Sequence, residues 1–294
     1  MSDASQRPIP ASGFWNKLLS ILDLTHPFPM IMNALLAGLF MYMASPNVAY
    51  GRLLVLVLSV AGIHGSFGSL NDYCDYPLDK VTKPAKPLVR ALTTRRFALS
   101  QTLILAVAGL SLSLALNSLS ACFAAIVLGT GVWYDLWAKG TLLSWMPYAV
   151  FIPSLPLWGF AAAGRFESVL LLAYPLGVLL SLGLNVANTL PDRDDDVAHG
   201  LRGLVHRLER PQALLLEWSS FAGAMLGFAV VAPLVRNDWT ILGPGLALGV
   251  LLLLFMIGDY VIFRSPRSLK RNWYASALLS AVVGLVWVAS LPHR

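Results

Sequence analysis

Apolar blocks of about 20 residues, each long enough to span a bilayer as a helix, recur along the chain. They fall at 27–45, 53–71, 97–115, 119–138, 143–163, 168–189, 212–234, 240–262 and 273–291. Strand-like alternation is absent, and a backbone in lipid must satisfy its polar groups within its own segment, so the blocks read as helices. The pattern predicts an all-α integral membrane protein with nine transmembrane helices. The narrowest division is a short turn at Asn117 and Ser118, between the third and fourth spans.

The charges test that count. With the N-terminus in the cytoplasm, seventeen of the twenty-one Lys and Arg residues fall in cytoplasmic segments; only Arg52, Arg165, Arg236 and Arg294 fall on the other side. This bias predicts a cytoplasmic N-terminus and a C-terminus on the opposite face. It also accounts for the net charge of +6 as basic cytoplasmic loops, without a nucleic-acid partner. The composition agrees: 57% of residues are hydrophobic and 12% charged, against roughly 25% charged in a soluble domain. Cys74 and Cys122 lie in different segments and suggest neither a disulfide framework nor a zinc site. The chain reads as one domain, 1–294, with a cytoplasmic tail over 1–20 and motif-bearing loops at about 71–96 and 188–211.

Two polar stretches break the apolar pattern. One, closing the second span, contains Asn71, Asp72, Asp75 and Asp79; the other, closing the sixth, contains Asn188, Asp192, Asp194, Asp195 and Asp196. Both follow N-x3-D-x3-D, and each matched position is displaced by 117 residues, as are Arg90 and Arg207. A fixed offset points to internal duplication. Four spans separate the motifs, so both emerge on one side of the membrane as a parallel repeat. Residues at i, i+4 and i+8 lie near one helix face, so each motif offers a stripe of oxygen ligands. Carboxylates at the membrane rim face a protein interior or water. Mg2+ takes one or two carboxylates plus substrate phosphates, so two facing stripes form a receptor for a diphosphate. The rival readings are solvated helix ends and a cation-transport site; the latter more naturally uses single midplane carboxylates and broken helices.

The stretch Asn71-Asp72-x-x-Asp75-x-x-x-Asp79, continued by Lys80-x-x-Lys83-Pro84-x-Lys86-Pro87, resembles the first signature of the UbiA-superfamily prenyltransferases. Asp192-x-x-x-Asp196 with Gly200, Leu204 and Arg207 is similar to the second, and Tyr134 to Lys139 resembles the tyrosine-to-lysine element between them. Lys86 stands where arginine is usual in that family and Gly203 where threonine is common. The resemblance implies a helical bundle around a central cavity and Mg2+-dependent transfer of a prenyl group from an isoprenyl diphosphate to an acceptor within the membrane. It implies Asn71, Asp72, Asp75, Asp79, Asn188, Asp192 and Asp196 as metal ligands, with Asp72, Asp75 and Asp192 central to catalysis. Lys139, Tyr134, Arg90, Arg202 and Arg207 are the candidate diphosphate contacts, each set against an ordinary role as loop charge or interfacial aromatic. Asp194 and Asp195 read equally as extra ligands, as a base or as loop charges. His64, Asn33 and Asn185 are polar groups at lipid depth, either packed between helices or facing substrate.

Two other functions fit the same features. A cyclase would ionise a prenyl diphosphate without an acceptor, and a transporter or lipid-binding protein would release no pyrophosphate. CDP-alcohol phosphotransferases also use paired aspartate motifs, but their D-G-x2-A-R opening is missing here. The acceptor, the prenyl chain length and the oligomeric state stay open at this level.

Overall fold

The computed structural model describes residues 13–292; Arg7 and Arg294, used above in the charge count, lie outside them. Eleven α-helices follow one another, with no strand among the described residues: α1 (Phe14–Asp23), α2 (Pro27–Ala44), α3 (Tyr50–Thr82), α4 (Arg95–Leu116), α5 (Ser118–Leu136), α6 (Met146–Ala162), α7 (Ala173–Thr189), α8 (Arg193–Ala198), α9 (Arg210–Val235), α10 (Trp239–Phe263) and α11 (Pro266–Ala289). Among the described residues, eight helical segments are long and apolar enough to cross a membrane. The remaining expected span, the fifth in chain order, is α6, which has 17 residues and a length of about 25 Å. Thirteen of those residues are buried, so its short length is covered by neighbouring helices rather than by lipid.

A similar offset, between 115 and 121 residues, relates the helix starts of the two halves. α2 to α5 begin at residues 27, 50, 95 and 118; α6, the 3-10 turn leading into α7 (Ser168–Leu172), α9 and α10 begin at 146, 168, 210 and 239. α11 stands outside the repeat and packs on α10, α7 and α2. α2 and α6, the first helices of the two halves, pack against each other.

Two features depart from the expected organisation. α1 occupies part of the segment read as a tail; it turns Trp15, Leu18, Leu19 and Leu22 outward along one face. α3 runs eleven residues past position 71 to Thr82, so the first motif is helical rather than a loop. Pro77 within α3 cannot donate to the Tyr73 carbonyl four residues back. Arg95 Nη2 donates to that carbonyl at 3.4 Å instead, and its guanidinium stacks over the Tyr73 ring at 4.4 Å. The second motif has no such continuity: α7 stops at Thr189, just before Pro191.

Packing depends on small residues and shared hydroxyls, as expected where lipid supplies no hydrophobic drive between helices. α3 and α4 touch along Gly62 and Gly109; a Cβ on Gly109 would come within 2.8 Å of the Ile63 side chain. Beside this contact Ser59 bonds Ser113 at 2.9 Å, Ser113 bonds Ser120 at 3.1 Å, and Trp158 Nε1 donates to Ser120 at 3.0 Å. This chain joins α3, α4, α5 and α6. Gly109→Leu should overpack the contact and cost about 1–3 kcal/mol, seen as a lower Tm of the detergent-solubilised protein. Gly129→Ala, where a Cβ meets nothing within 4 Å, should show no such loss.

Candidate active site

The two motifs meet at one end of the bundle, around a cavity of about 310 Å3. From α3 the face carrying His64, Gly68, Asn71 and Asp75 lines it; from the second motif Asn188, Asp192 and Asp196 do so. Lys83, Lys139 and Tyr134 line it as well. An ion pair between Lys83 and Asp192 ties the first motif's trailing loop to the second motif.

Asp72 and Asp79 are not part of this lining. Both are 2% exposed and turn toward Lys86, whose Nζ lies 2.7 Å from each carboxylate; His26 Nε2 lies 3.1 Å from Asp72. The cause is helical drift. Each four-residue step advances about 40° around the helix, so Asp79 has rotated some 80° from Asn71 and sits about 20° from Asp72. One apparent stripe thus divides into two faces, Asn71 with Asp75 toward the cavity and Asp72 with Asp79 toward the loop. Burial disfavours the charge on Lys86, but Asp72 and Asp79 outweigh it and hold the ammonium above the usual lysine range. A compact point charge set between two carboxylates is the geometry lysine suits.

The second motif is built differently. Asn188 belongs to the last turn of α7, Asp192 precedes α8, and Asp196 lies within α8, 3.2 Å from His206 Nε2. Asp194 pairs with Arg193 and Arg210 at the surface, and Asp195 is exposed. Arg90, Arg202 and Arg207 are exposed and outside the cavity lining; Arg207 Nε donates to the Arg202 carbonyl at 3.0 Å.

Between the motifs, α5 ends at Leu136 and a 3-10 turn, Ala138–Gly140, carries Lys139 onto Asp75. Burial opposes the Lys139 charge, while Asp75, and beyond it Asp135 and Asp196, raise its pKa above the ordinary value. Gly203 is required beside it, because a Cβ there would lie 2.8 Å from the Lys139 carbonyl oxygen. A threonine would collide at this point. Ser144 closes the same junction: its Oγ accepts from the Leu204 N–H at 3.2 Å, and its carbonyl accepts from Asn185 at 3.3 Å.

The motif reading did not single out Asp135. Its Oδ1 accepts from Asn71 Nδ2 at 3.0 Å, and its Oδ2 is buried without a partner. A carboxylate only accepts, so it binds the amide's NH2 end and leaves the Asn71 carbonyl oxygen available to a cation. The signal in the sequence was an intramembrane carboxylate at the close of a span, next to Tyr134.

No three acidic, histidine or cysteine side chains converge on a single point among the described residues. The cavity instead presents separate hard oxygen donors: Asp75 with Asn71 on one side, Asp192 and Asp196 with Asn188 on the other. That set fits Mg2+, whose remaining positions go to water and substrate phosphate, and the orphaned Asp135 Oδ2 adds an uncompensated acceptor nearby. Beyond the polar rim a smaller, apolar chamber of about 50 Å3 adjoins, sharing Met32, Asn33, Ile152 and Leu184 with the larger cavity.

The sequence pattern of the UbiA prenyltransferase family matches residues 31–282. Among curated relatives, a digeranylgeranylglyceryl phosphate synthase from Thermococcus kodakarensis is 27% identical over 289 residues, covering 92% of this chain and 96% of the relative. Its counterpart from Thermococcus gammatolerans is 27% identical over 218 residues, 73% of this chain and 76% of that one. Among solved structures, a UbiA homolog from Archaeoglobus fulgidus bound to GPP and Mg2+ superposes with a TM-score of 0.74 at 17% identity, over 91% of this chain and 99% of that one. At that identity the superposition establishes a shared fold.

Because both lysine pKa values are raised, the Lys86 and Lys139 pairs should persist through neutral pH and fail only as pH climbs past the usual lysine range. Lys86→Met should destabilise the protein by about 3–5 kcal/mol, since it strands two buried carboxylates. Adding Asp72→Asn and Asp79→Asn should recover much of the Tm. An undiminished Tm in Lys86→Met alone would contradict this role.

Proposed function

Since the chain belongs to the UbiA prenyltransferase family, we propose that it transfers a prenyl group from an isoprenyl diphosphate to an acceptor inside the bilayer and releases pyrophosphate. The observation that carries this reading is the convergence of Asn71 and Asp75 with Asn188, Asp192 and Asp196 on one cavity that continues into an apolar chamber. An isoprenyl diphosphate has the same two parts, a highly charged head and a hydrocarbon tail. The carboxylates and Lys139 favour the head at the rim, and the chamber between α2, α6 and α7 takes the tail.

The chemistry is largely electrostatic. Asp75, Asp192 and Asp196, with Asn71 and Asn188, would hold Mg2+, which would supply Lewis-acid neutralisation of the diphosphate. Lys139 adds a charge-assisted hydrogen bond to the head, and Lys83 brings a second ammonium beside Asp192. Asp135 orients the Asn71 amide. The allylic C–O bond breaks with its electron pair leaving on pyrophosphate. The acceptor's nucleophilic atom then bonds to the allylic carbon and loses a proton. Phe67, Phe151 and Tyr148 line the cavity below the rim and keep water from the cation. Asp72 and Asp79 contribute by fixing Lys86 and the loop from Lys83 to Leu92.

The motif end of the bundle faces the cytoplasm in this reading. Among the described basic residues only Arg52, Arg165 and Arg236 lie at the other end, which is the bias of the positive-inside rule.

Pyrophosphate release from the purified protein, with prenyl diphosphates of several lengths and a panel of acceptors, tests the proposal. Release should require both Mg2+ and an acceptor, and Asp75→Ala or Asp192→Ala should abolish it with membrane insertion intact. Release without any acceptor would indicate a cyclase; full activity in either variant would remove the two-motif mechanism. Lys139→Ala should raise KM for the prenyl diphosphate about tenfold or more, and Asp135→Ala should raise the Mg2+ concentration giving half-maximal rate.

A further inference from the structure

Deeper in the larger cavity lies a polar pair that diphosphate binding does not use. Asn33 on α2 and His64 on α3 both line it, and Asn33 also borders the apolar chamber. Asn33 Nδ2 and His64 Nδ1 are 3.4 Å apart. The Asn33 side chain is buried, at 3% exposure, and its Oδ1 has no hydrogen-bond partner. The surroundings are apolar: the His64 ring sits against Phe67 and Phe151, with centroids 5.8 Å and 5.4 Å away.

What the pair offers a ligand does not depend on how its hydrogens are assigned. If the Asn33 amide donates to His64 Nδ1, the neutral imidazole carries its proton on Nε2, leaving the Asn33 oxygen as acceptor and Nε2–H as donor. If the amide is turned round, its NH2 group becomes the free donor and Nε2 the free acceptor. Either way one donor and one acceptor remain. A hydroxyl supplies the matching donor and acceptor on one atom. A carboxylate or phosphate accepts only, and would set its charge against the pair's own acceptor.

The position also suits an acceptor. His64 and Asn71 share a face of α3 seven residues apart, so the pair lies about 10 Å along the axis from the diphosphate rim. That span holds the allylic carbon and the body of an acceptor molecule. Building on the prenyl-transfer reading above, we propose that Asn33 and His64 form the acceptor subsite and that they bind a neutral hydroxyl group of an alcohol or phenol.

The test is calorimetric titration of the full-length protein in detergent with two matched pairs: 4-octylphenol against its methyl ether, and 1-O-hexadecylglycerol against its dimethyl ether. In the wild type the hydroxyl compound of at least one pair should bind about tenfold more tightly than its ether, and the pair that does so identifies phenol or alcohol. Asn33→Leu and His64→Leu should each erase that preference. His64→Gln, which keeps a donor and an acceptor, should retain it. Equal binding of hydroxyl compound and ether in both pairs, or a preference unchanged in both leucine variants, would overturn the proposal. Mg2+-dependent binding of geranylgeranyl diphosphate, measured on the same samples, reports folding of the variants. Its failure in the wild type would count against the prenyl-transfer reading, while the hydroxyl preference could still be measured.

Discussion

Carboxylates gathered at the end of an apolar bundle repel one another and are costly to bury, so every part of this site is arranged around their compensation. Lys86 bridges Asp72 and Asp79, Lys139 meets Asp75, and Lys83 meets Asp192. Each lysine comes from a connecting segment rather than a span, and each connection is thereby drawn over the mouth of the cavity. The same contacts that neutralise the motifs place the loops. A diphosphate with divalent cations would enter an existing balance of charge, adding negative and positive groups together.

The duplicated halves meet that requirement by different backbone routes. In the first half α3 continues through its motif, because Arg95 satisfies the carbonyl that Pro77 leaves open. In the second half the helix stops before Pro191, and a short helix, α8, carries Asp196. A continuous helix forces its acidic residues to drift around the axis, so two of them leave the cavity. The broken segment lets Asn188, Asp192 and Asp196 all remain at the cavity wall. Identical spacing in the two motifs therefore brings two residues of the first and three of the second to the cavity wall.

Beneath the rim, polar groups become few and specific. The serine and tryptophan chain linking α3 to α6 is structural, since its donors and acceptors meet one another. So is the buried Glu217, which accepts from Asn272 at 2.7 Å and from Ser276 at 2.9 Å across α9 and α11. The Asn33–His64 pair differs, because its unused hydrogen-bonding capacity lines the place where two chambers join.

By itself the sequence determined the membrane class, eight of the nine expected spans, the repeat and the repeated oxygen-donor motif. These depend on residue type and spacing along the chain, and lipid makes both unusually restrictive. Its family resemblance also carried the reaction class. Tertiary structure decided which members of each motif face the cavity, because a spacing of four is close to a helical turn without equalling it, and the excess rotated Asp72 and Asp79 away. It decided that Lys83 and Lys86 guard the site while Arg90, Arg202 and Arg207 remain outside, since loop charges look alike until the loop is folded. It also brought Asp135 to Asn71 and His64 to Asn33. Those pairs lie 64 and 31 residues apart in the chain, and only the packing of one helix against another makes them neighbours.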